Sequence, residues 1–299
     1  MPRTLTVTAG LALAGLFAWG QSTVSLYFTV EDGDKLIGGL QSENFRLYED
    51  GQPVSFRLVE PESPALVTLL AEYSQSSLYY LSDIGTALDA FVDAAPEGHW
   101  YSLATFSQEL QIHVDFTRQK GEIRAAFGAL GQPFWGEVNT YDAVVDVLDK
   151  LEWLSGRKVL ILIGSGLNTL SRHTLTEVQR KVEGADVVIF GIGAGSLLRG
   201  QYDAYLSDSA RMELRQAEAF MNMLARKTGG QSFFPRFETA YRDVMRTVVL
   251  MLEQQYRIVY ESRFGRDGKF HRIRLEAFQT TEGKRRNFSV RVREGWRRQ

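Results

Sequence analysis

Residues 68–77, TLLAEYSQSS, set a carboxylate and a group of hydroxyls at the end of an apolar run. Val67, Leu69 and Leu70 are apolar; Glu72, Ser74, Ser76 and Ser77 follow. Oxygen groups gathered at a strand end can hold a hard cation such as Mg²⁺. The same residue types also end strands and cap helices without any ion. Two chemistries therefore compete for this stretch: a divalent-cation site built on Glu72, Ser74 and Ser76, or a polar strand end that binds no ion.

Other reactive-looking groups are weaker. Gly164-Ser165-Gly166 follows a second apolar run, but a hydrolase nucleophile elbow needs glycine two residues to each side of the serine, where Ile163 and Leu167 stand. Gly191, Gly193 and Gly195 follow a third run, yet they lead into SLLRGQYDAYLSDS rather than opening a helix, so they read as room for a tight turn and not as a dinucleotide loop. His99, His113, His173 and His271 have no metal-ligand spacing and read as surface or strand-edge histidines. Phe134, Trp135, Tyr79, Tyr80, Tyr202 and Tyr205 fall in loops or near helix starts; gathered at one edge they would make an aromatic contact surface, and dispersed they would be packing residues. No catalytic set emerges, and the chain reads as a non-enzyme.

The elements that must position these groups follow from hydropathy. Val24 to Val30 alternates apolar and polar residues, as do Phe45–Leu47 and Val54–Leu58, with turns at Asp32-Gly33 and Asp50-Gly51, so residues 21–62 read as short antiparallel strands. Pro61 to Pro64 is a stiff polar break. From there to residue 255 unalternating apolar runs (Ala65–Leu70, Val159–Ile163, Val187–Gly193) interleave with helical stretches, the pattern of strands buried on both faces. The fold class is α/β: a doubly wound, mostly parallel, Rossmann-like sheet over residues 63–255. Residues 101–106 and 112–116 add a hairpin with an antiparallel edge strand. Residues 256–299 return to strand alternation. Neither end can form a core alone, so the expected architecture is one small antiparallel β-sandwich built from 21–62 and 256–299, with the α/β domain inserted between.

Composition sets outer bounds. The 299 residues carry a net charge of only −2, and 44% are hydrophobic, which gives no global field toward nucleic acid or membrane. Thirteen Lys/Arg against five Asp/Glu stand from Arg257 onward; interleaved along strands, they read as a solvated face. Residues 1–20 have Arg3, then an uncharged run to Trp19, then a small-x-small site at Ala18-Trp19-Gly20, the layout of a signal peptide with Gln21 as the mature start. The run falls short of the roughly 20 residues a spanning helix needs, with an uncleaved anchor as the alternative. The expectation is an exported chain (periplasmic, cell-surface or secreted) with no stable membrane insertion after cleavage. Having no cysteine, it uses neither disulfides nor a lipid-anchored Cys.

ENFRLYEDGQPVSF (43–56), EYSQS, TYDAV (140–144), RKVLILIGSGLNTLSRHT (157–174), EQQYRIVYESRFGRDGKFHRIRLEA (253–277) and VRVREGW (290–296) occur in an order that resembles the von Willebrand factor A-related proteins exported by bacteria, of the acidobacterial type. The resemblance covers nearly all of the chain after residue 20. It implies a von Willebrand A domain flanked by strands from both ends, acting as a protein-binding module. It also implies a metal-ion-dependent adhesion site patterned Asp-x-Ser-x-Ser, then Thr, then Asp. Here Glu72 replaces the first Asp, Ser74 and Ser76 match, Val138 stands at the Thr position with Thr140 two residues on, and Ser165 replaces the last Asp. The candidate metal ligands are thus Glu72, Ser74, Ser76, Thr140 and Ser165, with Glu137, Asp142 and Asn168 on the rim. Lengthening one carboxylate and losing another implies a degenerate site, with no cofactor expected. The alternative is a module that still takes Mg²⁺ or another divalent cation for adhesion or ligand binding.

Overall fold

The computed structural model describes residues 22–196, 204, 206–281 and 283–298. The expected signal peptide and the expected contributions of Tyr202 and Tyr205 lie outside the described residues.

The first strands are β1 (Ser22–Asp32), β2 (Lys35–Leu36), β3 (Phe45–Glu49), β4 (Gln52–Val54) and β5 (Phe56–Val59). The α/β part runs β6 (Leu66–Glu72), α1 (Leu81–Ala94), β7 (Trp100–Phe106), β8 (Leu110–Thr117), α2 (Gly121–Gly128), α3 (Thr140–Glu152), β9 (Lys158–Gly164), α4 (Leu175–Gly184), β10 (Val188–Gly193), α5 (Asp208–Thr228), β11 (Ser232–Phe233) and α6 (Ala240–Glu253). The chain closes with β12 (Tyr256–Ser262), β13 (Phe270–Thr281), β14 (Lys284–Val292) and β15 (Gly295–Arg297).

The α/β sheet has the order β11-β10-β9-β6-β7-β8, parallel except for β8, which pairs antiparallel with β7 as the hairpin reading expects. Its strands are apolar on both sides because both sides are covered. Val67, Leu69, Val159, Ile161 and Phe190 pack with Ile84, Phe91, Tyr241 and Val248 of α1 and α6. The alternate residues Leu70, Leu160, Leu162 and Ile189 pack with Val144, Leu148, Val178 and Leu224 of α3, α4 and α5. Each such side chain removed from water contributes about 1.5–3 kcal/mol, so the buried runs fix which residues reach the strand ends.

The two chain ends do share a sheet, but the expected sandwich needs correcting. Hydrogen bonds join the strands into one nine-stranded sheet with the path β4-β3-β13-β14-β1-β12-β5, β2 and β15 lying off it. The first half of β14 pairs with β13 (Phe288 with Ala277) and its second half with β1 (Val292 with Phe28), so one strand carries the sheet around a bend. The arms close on a common core in which Phe28 meets Phe45 edge-on at 5.3 Å and Tyr256 at 5.4 Å. Val54–Leu58, expected as one strand, is split at Ser55: β4 pairs with β3 and β5 with β12, at opposite ends of the sheet.

Candidate functional site

In the order of the α/β sheet, β6 and β9 are the neighbours at which the winding direction reverses, and open sheets of this kind bind ligands at the carboxyl ends of such strands. Glu72 is the last residue of β6, and Ser165 follows the end of β9. Glu72 is completely buried. Its Oε1 accepts from the Tyr80 hydroxyl at 2.6 Å and the Ser74 hydroxyl at 3.4 Å. Its Oε2 accepts from the Ser165 backbone N–H and hydroxyl, both at 2.7 Å. Four donors thus converge on one carboxylate.

Gly164 makes this possible. A Cβ there would stand 2.7 Å from both Cβ and Oε2 of Glu72. The bare backbone of β9 leaves room for the extra methylene of glutamate, and the carboxylate lies across it to reach Ser165. Burial pushes the Glu72 carboxyl above its ordinary range, and the bonds from Tyr80, Ser165 and Ser74 pull part of the way back. Burial, then the adjacent Glu72 charge, pushes the Tyr80 phenol far up, so it stays a donor.

A reciprocal cap shapes the loop after β6. Ser74 N–H donates to Ser77 Oγ at 3.0 Å and Ser77 N–H to Ser74 Oγ at 3.1 Å, the logic of a capping box with a second serine in the acidic position. The 3₁₀ turn Ser76–Tyr80 then swings Tyr80 back over Glu72. Ser76 is exposed and its hydroxyl donates to the Gly136 carbonyl at 3.3 Å.

The remaining candidates gather elsewhere. The Thr140 hydroxyl donates to the Leu167 carbonyl. Asn168 Oδ1 accepts from Tyr141 N–H at 3.1 Å. Asp142 accepts from the backbone N–H groups of Arg172 at 2.9 Å and His173 at 3.0 Å, and pairs with the His173 ring at 2.7 Å. Burial raises the Asp142 pKa, but these bonds outweigh it and hold the carboxyl below its usual range. These three residues strap loop 167–173 onto α3. Val138 is buried and Glu137 half-buried. The structure therefore brings Glu72, Ser74 and Ser165 together and leaves Ser76, Thr140, Asp142 and Asn168 to other partners. Among the described residues no three His, Asp or Glu side chains are grouped so as to hold a metal ion. Both Glu72 oxygens are engaged by hydrogen-bond donors from Tyr80, Ser74 and Ser165.

Around this polar centre lies apolar surface. A cavity of about 440 Å³ opens beside Ser165, walled by Tyr79, Tyr80, Leu167, Ala194, Leu214 and Phe234. Tyr79 is 82% exposed, Phe134 75%, Leu78 49% and Trp135 46%. Phe134 and Trp135 stand edge-to-face at 5.1 Å, and their loop is tied to the post-β6 turn by Gln75 N–H to the Trp135 carbonyl at 2.7 Å.

No protein-family model matches the chain, and no curated protein matches it. Solved structures are similar in fold. A von Willebrand factor type A protein from Catenulispora acidiphila is 12% identical over 92% of this chain and 75% of its own, at a TM-score of 0.48. The hypothetical protein BatB from Bacteroides thetaiotaomicron is 13% identical over 63% and 99%, at 0.45. Proximal thread matrix protein 1 of the mussel byssus, with a zinc-occupied MIDAS motif, is 15% identical over 68% of this chain and 49% of its own, at 0.48. This chain thus spans about half of the mussel protein's length.

Several features of this α/β domain were not read from sequence. Ser77 had a signal, the Ser-x-x-Ser spacing of a reciprocal cap. Gly164 had one too, a glycine closing a buried strand where another chain segment approaches. The Tyr80–Glu72 bond had none. Two histidines need correction: His99 and His271 are buried. His99 accepts from Ala65 N–H at 3.1 Å and meets Glu253 at 3.0 Å, and His271 sits between Asp50 and Asp267. Gly191 and Gly193 are needed for packing inside β10 rather than for a turn, since a Cβ on Gly193 would lie 2.4 Å from the Phe234 ring.

Proposed function

We propose that the protein is a non-enzymatic, exported interaction module that binds a protein partner through the carboxyl edge of its α/β sheet without a bridging cation. In this reading residues 1–20 are a signal peptide, 63–255 form the binding domain, and 21–62 with 256–299 form the base that carries it. The exposed apolar rim carries the reading: Leu78 and Tyr79 follow the post-β6 turn, Phe134 and Trp135 stand on the loop bonded to that turn through Gln75, and beneath lies a buried carboxylate bonded by Tyr80, Ser74 and Ser165. Exposed aromatic side chains on short, backbone-tied loops present large contact area at small entropic cost, the property of residues that dominate protein interfaces. Glu72 acts as the internal post of the site: its four bonds fix Tyr80 and the strand ends under the rim.

Cross-linking in the native envelope, followed by affinity measurement with the captured partner, tests the proposal. Tyr79→Ala with Trp135→Ala should weaken binding at least about 100-fold, hot-spot aromatics costing about 2 kcal/mol or more each, and chelation by EDTA should change nothing. Binding that survives the double change, or that is abolished by EDTA, would turn the reading toward the cation-dependent alternative or to another face.

A further inference from the structure

We propose a second binding site, for a multiply charged phosphate-bearing ligand, at the opposite end of the α/β sheet. There a pocket of about 600 Å³ opens at the seam between the two sheets. Its walls include the cations Lys158, Arg180, Lys181, Arg266, Arg297 and Arg298, against three acids, Glu152, Glu177 and Asp186. They come from separate parts of the chain: Lys158 begins β9, Arg180 and Lys181 lie on α4, Arg266 on the β12–β13 loop, and Arg297 and Arg298 at or after β15.

The acids cancel these charges only in part, Asp186 being the one wall acid that makes neither an ion pair nor a cap among the described residues. Lys181 is paired with Asp149 and Glu152, and Arg297 with Glu183. Lys158 is buried and donates only to the Leu154 carbonyl, at 3.0 Å, and Arg298 to the Thr23 carbonyl, at 2.8 Å. Arg180 and Arg266 are exposed and make no ion pair among the described residues. Glu177 is occupied by its own helix cap, accepting from Thr174 N–H at 2.7 Å. Four cationic heads without an ion pair therefore share one concavity with Glu177 and Asp186, leaving positive charge in excess. An excess of like charge in one concavity costs stability through mutual repulsion, which an anionic ligand would relieve.

The walls are also rigid. Arg293, buried beneath the seam, donates to the carbonyls of Glu183 at 2.7 Å, Ala185 at 3.1 Å and Gly295 at 2.7 Å, locking the end of α4 to β15. Fixed walls lower the ordering cost of binding. Guanidinium forks suit tetrahedral oxyanions bidentately, and the volume exceeds a lone phosphate. A ligand held by Arg180 on one side and Arg266 and Arg298 on the other would also staple the two sheets together.

Calorimetry with the full chain at low salt tests this with inorganic pyrophosphate, orthophosphate, and phosphatidylglycerol vesicles in a phosphatidylcholine background. Pyrophosphate should bind, raise the unfolding temperature, and bind about ten times tighter than orthophosphate, since opposite charges near a surface add. Affinity should fall as salt rises. Arg180→Ala with Arg266→Ala, both at exposed positions, should weaken binding at least about tenfold, while Arg285→Ala on distant β14 should not. Pyrophosphate competing with vesicles assigns the site to a lipid headgroup; pyrophosphate binding without vesicle binding assigns it to a free phosphorylated solute. Absence of binding to every probe, or binding indifferent to the Arg180/Arg266 pair, overturns the proposal. The rim variants leave this site untouched, so its failure and that of the carboxyl-edge reading are separable.

Discussion

Ser165→Asp puts a second carboxylate where a hydroxyl now donates to Glu72 across 2.7 Å. Losing a hydrogen bond to a charged acceptor costs about 1.5–3 kcal/mol. Two unit charges about 4 Å apart repel by about 4 kcal/mol at an effective dielectric constant of about 20. Glu72 already has its pKa raised by burial, so the pair relieves part of this by taking up a proton. The net loss at neutral pH should then be about 3–5 kcal/mol, and smaller at acidic pH as the pair takes up a proton. Urea unfolding at the two pH values measures it. Glu72→Asp combined with Ser165→Asp should create a cation site: the shorter arm leaves space between two carboxylates, and Ser74 supplies a hydroxyl. Mg²⁺ at about 100 times its dissociation constant would return about 2.7 kcal/mol by mass action, read as a rise in unfolding temperature against NaCl of equal ionic strength. A Ser165→Asp chain as stable as its parent would refute the Glu72–Ser165 contact, and a double variant blind to Mg²⁺ would refute convergence of these loops on one point.

Other consequences can be checked directly. Because burial raises the Glu72 pKa, its contribution to stability is present below the ordinary glutamate range and is lost as pH rises through the folded pKa; Glu72→Gln should flatten that slope in chemical denaturation. Burial alone would lower the His271 pKa, but the bonds and charges of Asp50 and Asp267 raise it, so its stabilisation is full below about pH 6.5 and lost above the folded pKa. An NMR titration should place the His271 midpoint above the ordinary value, and His271→Ala should erase that part of the pH profile. Gly164→Ala, with its Cβ 2.7 Å from Glu72, should cost about 1–3 kcal/mol in unfolding experiments by overpacking. Deleting residues 257–299 takes β12 and β14 from β1 and β13 from β3, so the truncated chain should aggregate or unfold without cooperativity; protection of β1 from proteolysis in that chain would contradict the shared sheet.

Local periodicity and composition made part of the fold legible. Unalternating runs such as Val159–Ile163 were legible as strands covered on both faces; Val24–Val30 was legible as a strand, but its alternation suggested one solvated face, whereas Tyr27 and Thr29 are buried too. The Glu72–Ser74 strand end was legible as well, because polar groups abruptly ending an apolar run must be satisfied locally or by a ligand. Tertiary structure decided everything that depends on which strand ends meet. Glu72 and Ser165 are far apart along the chain, and only parallel pairing of β6 with β9 brings the serine within 2.7 Å of the carboxylate. Whether Tyr80 points outward or back over Glu72 is set by one 3₁₀ turn, to which periodicity is blind. The bend through β14 was hidden for the same reason: its alternation is the same whether it serves one neighbour or two, and only the register shows it passing from β13 to β1. Sequence therefore fixed which groups could do chemistry, and long-range strand pairing fixed that Glu72 is met by hydroxyls and an amide, which settle its charge by hydrogen bonding at a distance no local pattern encodes.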